Sequence, residues 1–232
     1  GSGKSYGTKL DILRTYIKRD DTQIIIIDPK DGFEAINTAL NGTEIVVGGS
    51  RQMNPMEITE TPQELIDSEQ IDPFNMQIDK VMDFFDMYFH FRGDKLGDKR
   101  GVLEDAVILA YKEAGITREI ETHSRPSPTI ADVLDILEDM AQNPGSERFK
   151  NIMDNETYQE IIEQKAVLLD IALRQFKEGG QFENLAGESE IDLSQNDVHY
   201  INLEQGENSG KLGLVMHLIL GEVYDEAKTS DK

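Results

Sequence analysis

The first five residues, Gly1-Ser2-Gly3-Lys4-Ser5, combine glycine, lysine and hydroxyl side chains at a spacing suited to binding phosphate. They match the second half of the pattern G-x-x-x-x-G-K-[ST], whose leading glycine would precede residue 1. Glycines let backbone N–H groups converge on phosphate oxygens, and a helix N-terminus favours negative charge. We therefore expect Lys4 to bridge the β- and γ-phosphates of ATP and the Ser5 hydroxyl to bind Mg²⁺.

The remainder of this predicted phosphate-binding loop is Gly1, Ser2 and Gly3, and the backbone N–H groups of Ser5 and Tyr6 complete the cradle. The alternative is a flexible Gly-Ser tag or linker. The sequence that follows favours the loop, because an apolar pattern at helical spacing begins at once and a run of four isoleucines comes after it.

Asp28 is the second candidate catalytic residue, after Lys4. It ends the isoleucine run, as the carboxylate of a Walker B strand does when it orders Mg²⁺ through water. Pro29 follows, however, and not glutamate. Two other roles stay open: a position of Asp28 or Asp31 beside the γ-phosphate or behind the magnesium ligands, and a polar strand end without catalytic function.

The first fifty residues alternate between helical and extended patterns. Leu10, Leu13 and Ile17 repeat at helical spacing with Tyr16 beside them, and residues 23–28 then form a strand. Four consecutive β-branched residues predict a strand buried on both faces, as in a parallel sheet covered by helices. A short helix with apolar residues between 33 and 40 ends at Asn41-Gly42, and residues 43–47 form a second strand. This alternation predicts an α/β fold with a parallel sheet.

The pattern becomes helical between residues 61 and 180. Apolar stripes predict one long helix in 74–89 and a second in 103–114 that stops at Gly115. A third opens at Ser127-Pro128, and a fourth spans about 156–177, with an apolar face of Ile161, Leu168, Leu169, Ala172 and Phe176. A strand at 198–203 and a final helix with apolar positions from 212 to 223 restore the α/β pattern. We therefore predict an ATPase core in 1–60 and 181–232, interrupted by a helical subdomain in 61–180.

Three motifs together resemble the HerA–FtsK superfamily of P-loop ATPases. They are Asp28-Pro29-Lys30-Asp31-Gly32-Phe33 after a strand, Asn41-Gly42 before the next one, and Met53-Asn54-Pro55-Met56. Within that superfamily the chain is most similar to the traffic ATPases of conjugation and type IV secretion, the VirB/TraC type, which also insert a helical subdomain. The resemblance implies a RecA-like core that binds ATP and Mg²⁺.

The resemblance also implies a function, partners and a location. It implies a motor that couples ATP hydrolysis to the transfer of DNA or protein, a hexameric ring of identical subunits, and secretion or conjugation machinery as partner. The implied location is cytoplasmic, with peripheral attachment to the inner face of the membrane as a further option. The family's Walker B Asp-Glu would lie beyond Lys232, so we expect weak nucleotide binding and little hydrolysis from this chain alone. A HerA-type DNA-translocating helicase and a nucleotide-binding scaffold without turnover are the alternatives.

Charge and composition limit the other function classes. The 232 residues have a net charge of -22, which repels nucleic acid except at local basic patches and also fits adaptation to very high salt. Lys95, Lys99 and Arg100 form one small basic loop, which could contact DNA phosphates or a partner but is more typical of a solvated loop. Cysteine is absent, which excludes thiolate metal sites and disulfides, and the four histidines lack metal-ligand spacing. No apolar run is long enough to span a membrane.

Overall fold

The structure is a computed structural model that describes residues 2–18, 22–28, 32–46, 51–58, 61, 66, 71–150, 152, 156–190, 197–203 and 210–229. Side chains are described for these residues except 2–5, 156–157, 210, 222 and 224–229. The chain divides into two compact units. The sheet unit comprises Gly1–Arg51 and Ile191–Lys232, and the helical unit comprises Gln52–Glu190.

The described residues of the sheet unit form three parallel strands: β1 (Ile24–Asp28), β2 (Thr43–Val46) and β3 (Val198–Asn202). Their order is β1-β3-β2, so the strand that is last in the sequence lies between the other two. All five residues of β3 are buried. The predicted parallel sheet is therefore confirmed, with β3 at its centre.

The prediction that β1 is buried on both faces is wrong for part of the strand. Ile26 and Asp28 are buried, but Ile27, which points to the opposite face, is 42% exposed. Among the described strands β1 pairs only with β3, so it lies at an edge of the sheet. A run of β-branched residues indicates a strand, but the elements that pack on the sheet decide which of its faces are covered.

Of the described helices, α1 (Ser2–Lys18), α2 (Glu34–Ala39) and α7 (Gly210–Thr229) belong to the sheet unit. Ile12 and Tyr16 of α1 pack against the buried cluster that Ile26 and Tyr200 form on the sheet. The helix predicted in this region is present. Of its predicted apolar positions, Tyr16 packs on the sheet, whereas Ile17 is 76% exposed. The Asn41-Gly42 turn ends α2 as predicted, with Asn41 at a φ of 53°.

Gly42 cannot be replaced without moving the chain around it. A Cβ atom on Gly42 would lie 2.2 Å from the Asn37 side-chain oxygen and 2.9 Å from the Val198 carbonyl oxygen. The turn between α2 and β2 therefore passes directly against the start of β3, which fixes how the short helix packs on the sheet.

The helical unit contains α3 (Pro73–Phe91), α4 (Arg100–Glu113), α5 (Ile130–Gln142) and α6 (Glu156–Leu173), joined by short 3₁₀ turns. Helix α5 packs against both α4 and α6. Five aromatic rings from α3 and from the segment after α6 form a connected cluster of edge-to-face or tilted pairs. In each pair the ring centres are 6.3 Å apart or less, and the rings are those of Phe84, Phe85, Tyr88, Phe176 and Phe182. Such pairs contribute about 0.5–1.5 kcal/mol each beyond the burial of apolar area.

An arginine side chain connects two helices of the helical unit. Arg148 donates two hydrogen bonds of 2.7 Å to Glu113 at the end of α4, and its guanidinium also contacts Asp135 and Asp139 of α5. We call these four residues the Arg148 cluster. The surrounding carboxylates raise the pKa of Arg148 further, with the hydrogen bonds that it donates to Glu113 as the largest cause. The cluster therefore holds the ends of α4 and α5 together through charge-assisted hydrogen bonds.

The apolar face predicted for α6 is only partly buried. Leu169 and Phe176 are buried as expected, whereas Ile161 and Leu168 are 49% and 50% exposed. The residues that α6 itself buries are Ala166, Leu169 and Leu173, which lie on an adjacent stripe of the helix. No helix in the described part of the chain is both long and apolar enough to cross a membrane.

Candidate functional site

The candidate site lies at the carboxyl edge of the sheet, where β1 ends at Asp28 and β3 ends at Asn202. These two residues are paired in register, and both are buried. The Asn202 side-chain N–H₂ donates to Glu44 of β2 over 3.2 Å. Carboxyl ends of parallel strands are where ligands bind in open α/β sheets, because the loops that follow the strands meet there.

Asp28 organises the loop that follows β1. One carboxylate oxygen, Oδ2, accepts the backbone N–H of Gly32 at 2.5 Å and that of Phe33 at 2.9 Å. The hydroxyl of Tyr200 on β3 donates to the same oxygen at 3.2 Å. Three donors on one oxygen fix the orientation of the carboxylate, so Asp28 joins the central strand to the start of α2.

Helix α1 packs beside the segment that follows β1. The Lys9 ammonium lies 5.3 Å from the centre of the Phe33 ring, just beyond the carboxyl end of β1. Tyr16, two turns later, packs against the cluster on the face of the sheet. Lys9 and Tyr16 therefore hold the middle and the last turns of α1 against the sheet. The first N–H groups of the helix have no partners within it, and such groups can bind an anion.

The predicted phosphate-binding residues lie only partly within the described structure. Gly1 is outside the described residues, and so are the side chains of Ser2, Lys4 and Ser5, although the backbone from Ser2 to Ser5 is helical. Tyr6 is described, and its side chain is 66% exposed. Asp31 also lies outside the described residues. The roles assigned to Gly1, Ser2, Gly3, Lys4, Ser5 and Tyr6 stay predictions.

Two residues of this site escaped the sequence reasoning. Tyr200 and Asn202 lie in the final predicted strand, and neither is among the site residues predicted from the sequence. The sequence does contain a pattern that indicates them. Side chains two positions apart point to the same face of a strand, and Asn202 is a polar residue at the carboxyl end of the predicted strand. What the sequence lacked was the pairing of this strand with β1, which brings Tyr200 to Asp28 across 172 positions.

The Asn54-Pro55-Met56 motif has a structural explanation within the helical unit. The Asn54 side chain accepts the Met56 N–H at 3.0 Å and donates to the Pro128 carbonyl at 2.9 Å. The Met56 carbonyl accepts the Tyr111 hydroxyl at 2.6 Å. Asn54 and Met56 are both buried, so the motif fixes this segment on α4 and on the start of α5.

The basic loop considered from sequence is largely neutralised. The Lys99 ammonium lies 3.4 Å from Asp94 and 4.9 Å from the Phe89 ring centre, and Arg100 pairs with Asp86. These internal contacts favour a structural role for Lys99 and Arg100 over phosphate binding.

Comparisons with known proteins agree with this architecture. A model of the family described as "Helicase HerA, central domain" matches residues 1–223. The solved structure of VirB4 of Thermoanaerobacter pseudethanolicus superposes with a TM-score of 0.73 and 22% sequence identity. The match covers 98% of this chain and 55% of that chain, so the chain spans about half the length of VirB4. No curated protein sequence matches.

These matches confirm the predicted fold class and the resemblance to the HerA–FtsK superfamily. The superposition with VirB4 extends over 98% of the chain, and the family match at residues 1–223 includes residues of both units. The chain belongs to the family of the helicase HerA central domain, within the HerA–FtsK P-loop ATPases.

Proposed function

We propose that the chain is the nucleotide-binding part of an ATP-driven motor that transfers DNA or protein through a conjugation or type IV secretion machine. The feature that supports this most is the Gly3-Lys4-Ser5 sequence in the first turn of α1, a helix whose Lys9 contacts Phe33 in the segment held by Asp28. The family match to an ATPase domain agrees with it.

Each residue of the site has a proposed role. The backbone N–H groups of Gly1 to Tyr6 hold the phosphates, Lys4 offsets charge on the β- and γ-phosphates, and Ser5 binds Mg²⁺. The ion, when bound, neutralises charge that develops on the transferring phosphoryl group. The donors around Asp28 hold its carboxylate in place, so we propose that it acts by orienting the loop after β1 beside the phosphates.

A lysine substitution tests the nucleotide site. In the full-length protein, Lys4→Ala is expected to reduce ATP turnover by roughly 10²-fold or more, because one preorganised electrostatic contact contributes on that order. Lys18→Ala is the matched control, since Lys18 is an exposed lysine at the other end of the same helix. Turnover that is equal in the two variants would reject the phosphate-binding loop.

A HerA-type DNA-translocating helicase is the second candidate, and the description of the matching family favours it. The two motors differ in their response to DNA. A helicase is expected to hydrolyse ATP severalfold faster when duplex DNA is added and to displace a strand, whereas a secretion motor needs its partner proteins. ATP binding without any turnover would instead indicate a scaffold.

The assembly and location are further proposals. We propose a hexameric ring of identical subunits at the inner face of the membrane, as the family resemblance implies. Mass photometry of the full-length protein with and without ATP and Mg²⁺ tests the ring, and a monomer under all conditions would reject it.

A further inference from the structure

An open pocket of about 490 Å³ lies entirely within the helical unit. Three separate segments line it: 54–58, 123–127 and 188–189. The volume is within the range of roughly 300–1,000 Å³ that is typical of ligand sites. Nothing in the proposed nucleotide chemistry uses this pocket, so it calls for a separate explanation.

Hydrogen bonds between the three segments fix the walls of the pocket. The Ser189 hydroxyl accepts the Asn54 N–H at 2.9 Å, and the Ser127 hydroxyl accepts the Ile58 N–H at 3.0 Å. The Asn54 side chain donates to the Pro128 carbonyl at 2.9 Å. Because both serine oxygens act as acceptors, their own protons are directed to other partners. The pocket therefore has preformed walls with two hydroxyl donors.

A buried histidine forms part of one wall of the pocket. His123 is 2% exposed, and its Nε2 lies 2.9 Å from the Thr117 carbonyl oxygen. A carbonyl oxygen only accepts, so Nε2 must carry a proton, and in the neutral ring Nδ1 is an acceptor. Among the described residues Nδ1 has no hydrogen-bond partner. Because Nδ1 is itself shielded from solvent, the ring forms part of the wall and we assign it no contact with a ligand.

The charged side chains of the pocket are arranged without internal pairing. Glu57 and Glu188 are exposed, and within the described part of the chain neither forms an ion pair. Arg125 donates to the Gly115 carbonyl at 2.6 Å and likewise has no carboxylate partner there. Two free carboxylates against one guanidinium leave an excess negative charge, on a chain whose net charge is -22. Such a site attracts cationic groups.

We propose that this pocket binds a short basic segment of a partner protein. A lysine or arginine side chain of that segment pairs with Glu57 and Glu188, and its main-chain carbonyls accept from Arg125, Ser127 and Ser189. A peptide supplies the cation for the carboxylates and the acceptors for these donors in one ligand. The proposal does not depend on the nucleotide function.

The probe is the blocked pentapeptide Ala-Ala-Lys-Ala-Ala, titrated into the ¹⁵N-labelled chain and followed by amide NMR shifts. We expect saturable shifts confined to residues 54–58, 123–127 and 188–189. The double variant Glu57→Gln/Glu188→Gln should bind roughly fivefold more weakly, because two exposed ion pairs are lost. A peptide with norleucine in place of lysine should bind more weakly by a similar factor.

A matched double variant controls for overall charge. Asp83→Asn/Glu160→Gln removes the same charge from two exposed helix positions outside the pocket and should leave the affinity unchanged within twofold. No saturable shift, or an equal loss of affinity in both double variants, would overturn the proposal. Spermidine binding as tightly as the peptide would also overturn it, because the pocket would then recognise a free cation and not a peptide.

Discussion

Removing one hydroxyl group, with Tyr111→Phe, tests how the Asn54-Pro55-Met56 motif is held in place. Tyr111 is fully buried in α4, and its hydroxyl donates to the Met56 carbonyl at 2.6 Å and accepts from Gln77 at 3.1 Å. Burial raises the pKa of Tyr111, so the hydroxyl is protonated and donates at neutral pH. Phenylalanine keeps the ring and its edge-to-face contact with Phe74, whose centre is 5.7 Å away.

The size of the effect follows from the groups left behind. Loss of a net hydrogen bond costs about 1 kcal/mol, and a buried carbonyl without a partner costs about 1–3 kcal/mol. The Gln77 N–H₂ still has the Pro55 carbonyl at 3.4 Å, so it adds little. We therefore expect the free energy of unfolding of the helical unit to fall by about 2 kcal/mol.

Urea unfolding followed by far-ultraviolet circular dichroism measures this loss, because the helical unit contains most of the described helices and the chain has no tryptophan. The midpoint should fall by about 1 M at unchanged slope. Tyr158→Phe is the control: its side chain is 53% exposed, and its unfolding free energy should change by less than about 0.5 kcal/mol. Equal midpoints for the two variants would refute the reasoning.

Three further substitutions have defined outcomes. Arg148→Ala should lower the unfolding free energy by about 1–2 kcal/mol, because it leaves the three carboxylates of the Arg148 cluster facing one another. Added NaCl at about 1 M should reduce this loss of stability, and a loss that does not depend on salt would contradict the electrostatic explanation. Burial, followed by the neighbouring Glu104, raises the pKa of Asp105, so its ionised form destabilises the fold. Asp105→Asn should therefore raise the melting temperature at pH 7. This gain should disappear below the ordinary aspartate pKa of about 3.9, where the carboxyl is protonated in both the folded and the unfolded protein. A gain that persists at about pH 3 would contradict the assignment to the ionised carboxyl. Tyr200→Phe should speed hydrogen exchange at the two backbone amides bound to Asp28 by about tenfold, since a hydrogen bond to a charged group contributes roughly 1.5 kcal/mol; unchanged exchange would show that Tyr200 does not hold the carboxylate.

The sequence by itself predicted the elements that local chemistry specifies. Helix α2 ends at Asn41-Gly42 because asparagine and glycine tolerate the left-handed backbone that a helix end needs, and α4 ends before Gly115, where φ is 77°. The parallel sheet and the helical segment between its strands followed from hydrophobic periodicity. These features depend on residues within a few positions of one another, so the sequence contains them in readable form.

The tertiary structure decided which of these elements meet. Among the described strands the order β1-β3-β2 places β1 at an edge and brings Tyr200 to Asp28, while Ile27 on the opposite face of β1 is left exposed. On α6 the packing within the helical unit buries Leu169 and leaves Leu168 exposed, although both side chains are apolar. Periodicity describes one element alone and contains no information on the partner that covers it.

The functional surfaces show the same division. The Gly1–Ser5 motif could be interpreted from its residue types and spacing, because a phosphate-binding loop is built from consecutive residues. The pocket in the helical unit could not, because Asn54, His123 and Ser189 come from segments separated by more than sixty positions and meet only through packing. The sequence thus determined the family and the nucleotide motif, whereas long-range packing determined how Asp28 is held and which polar groups share a pocket.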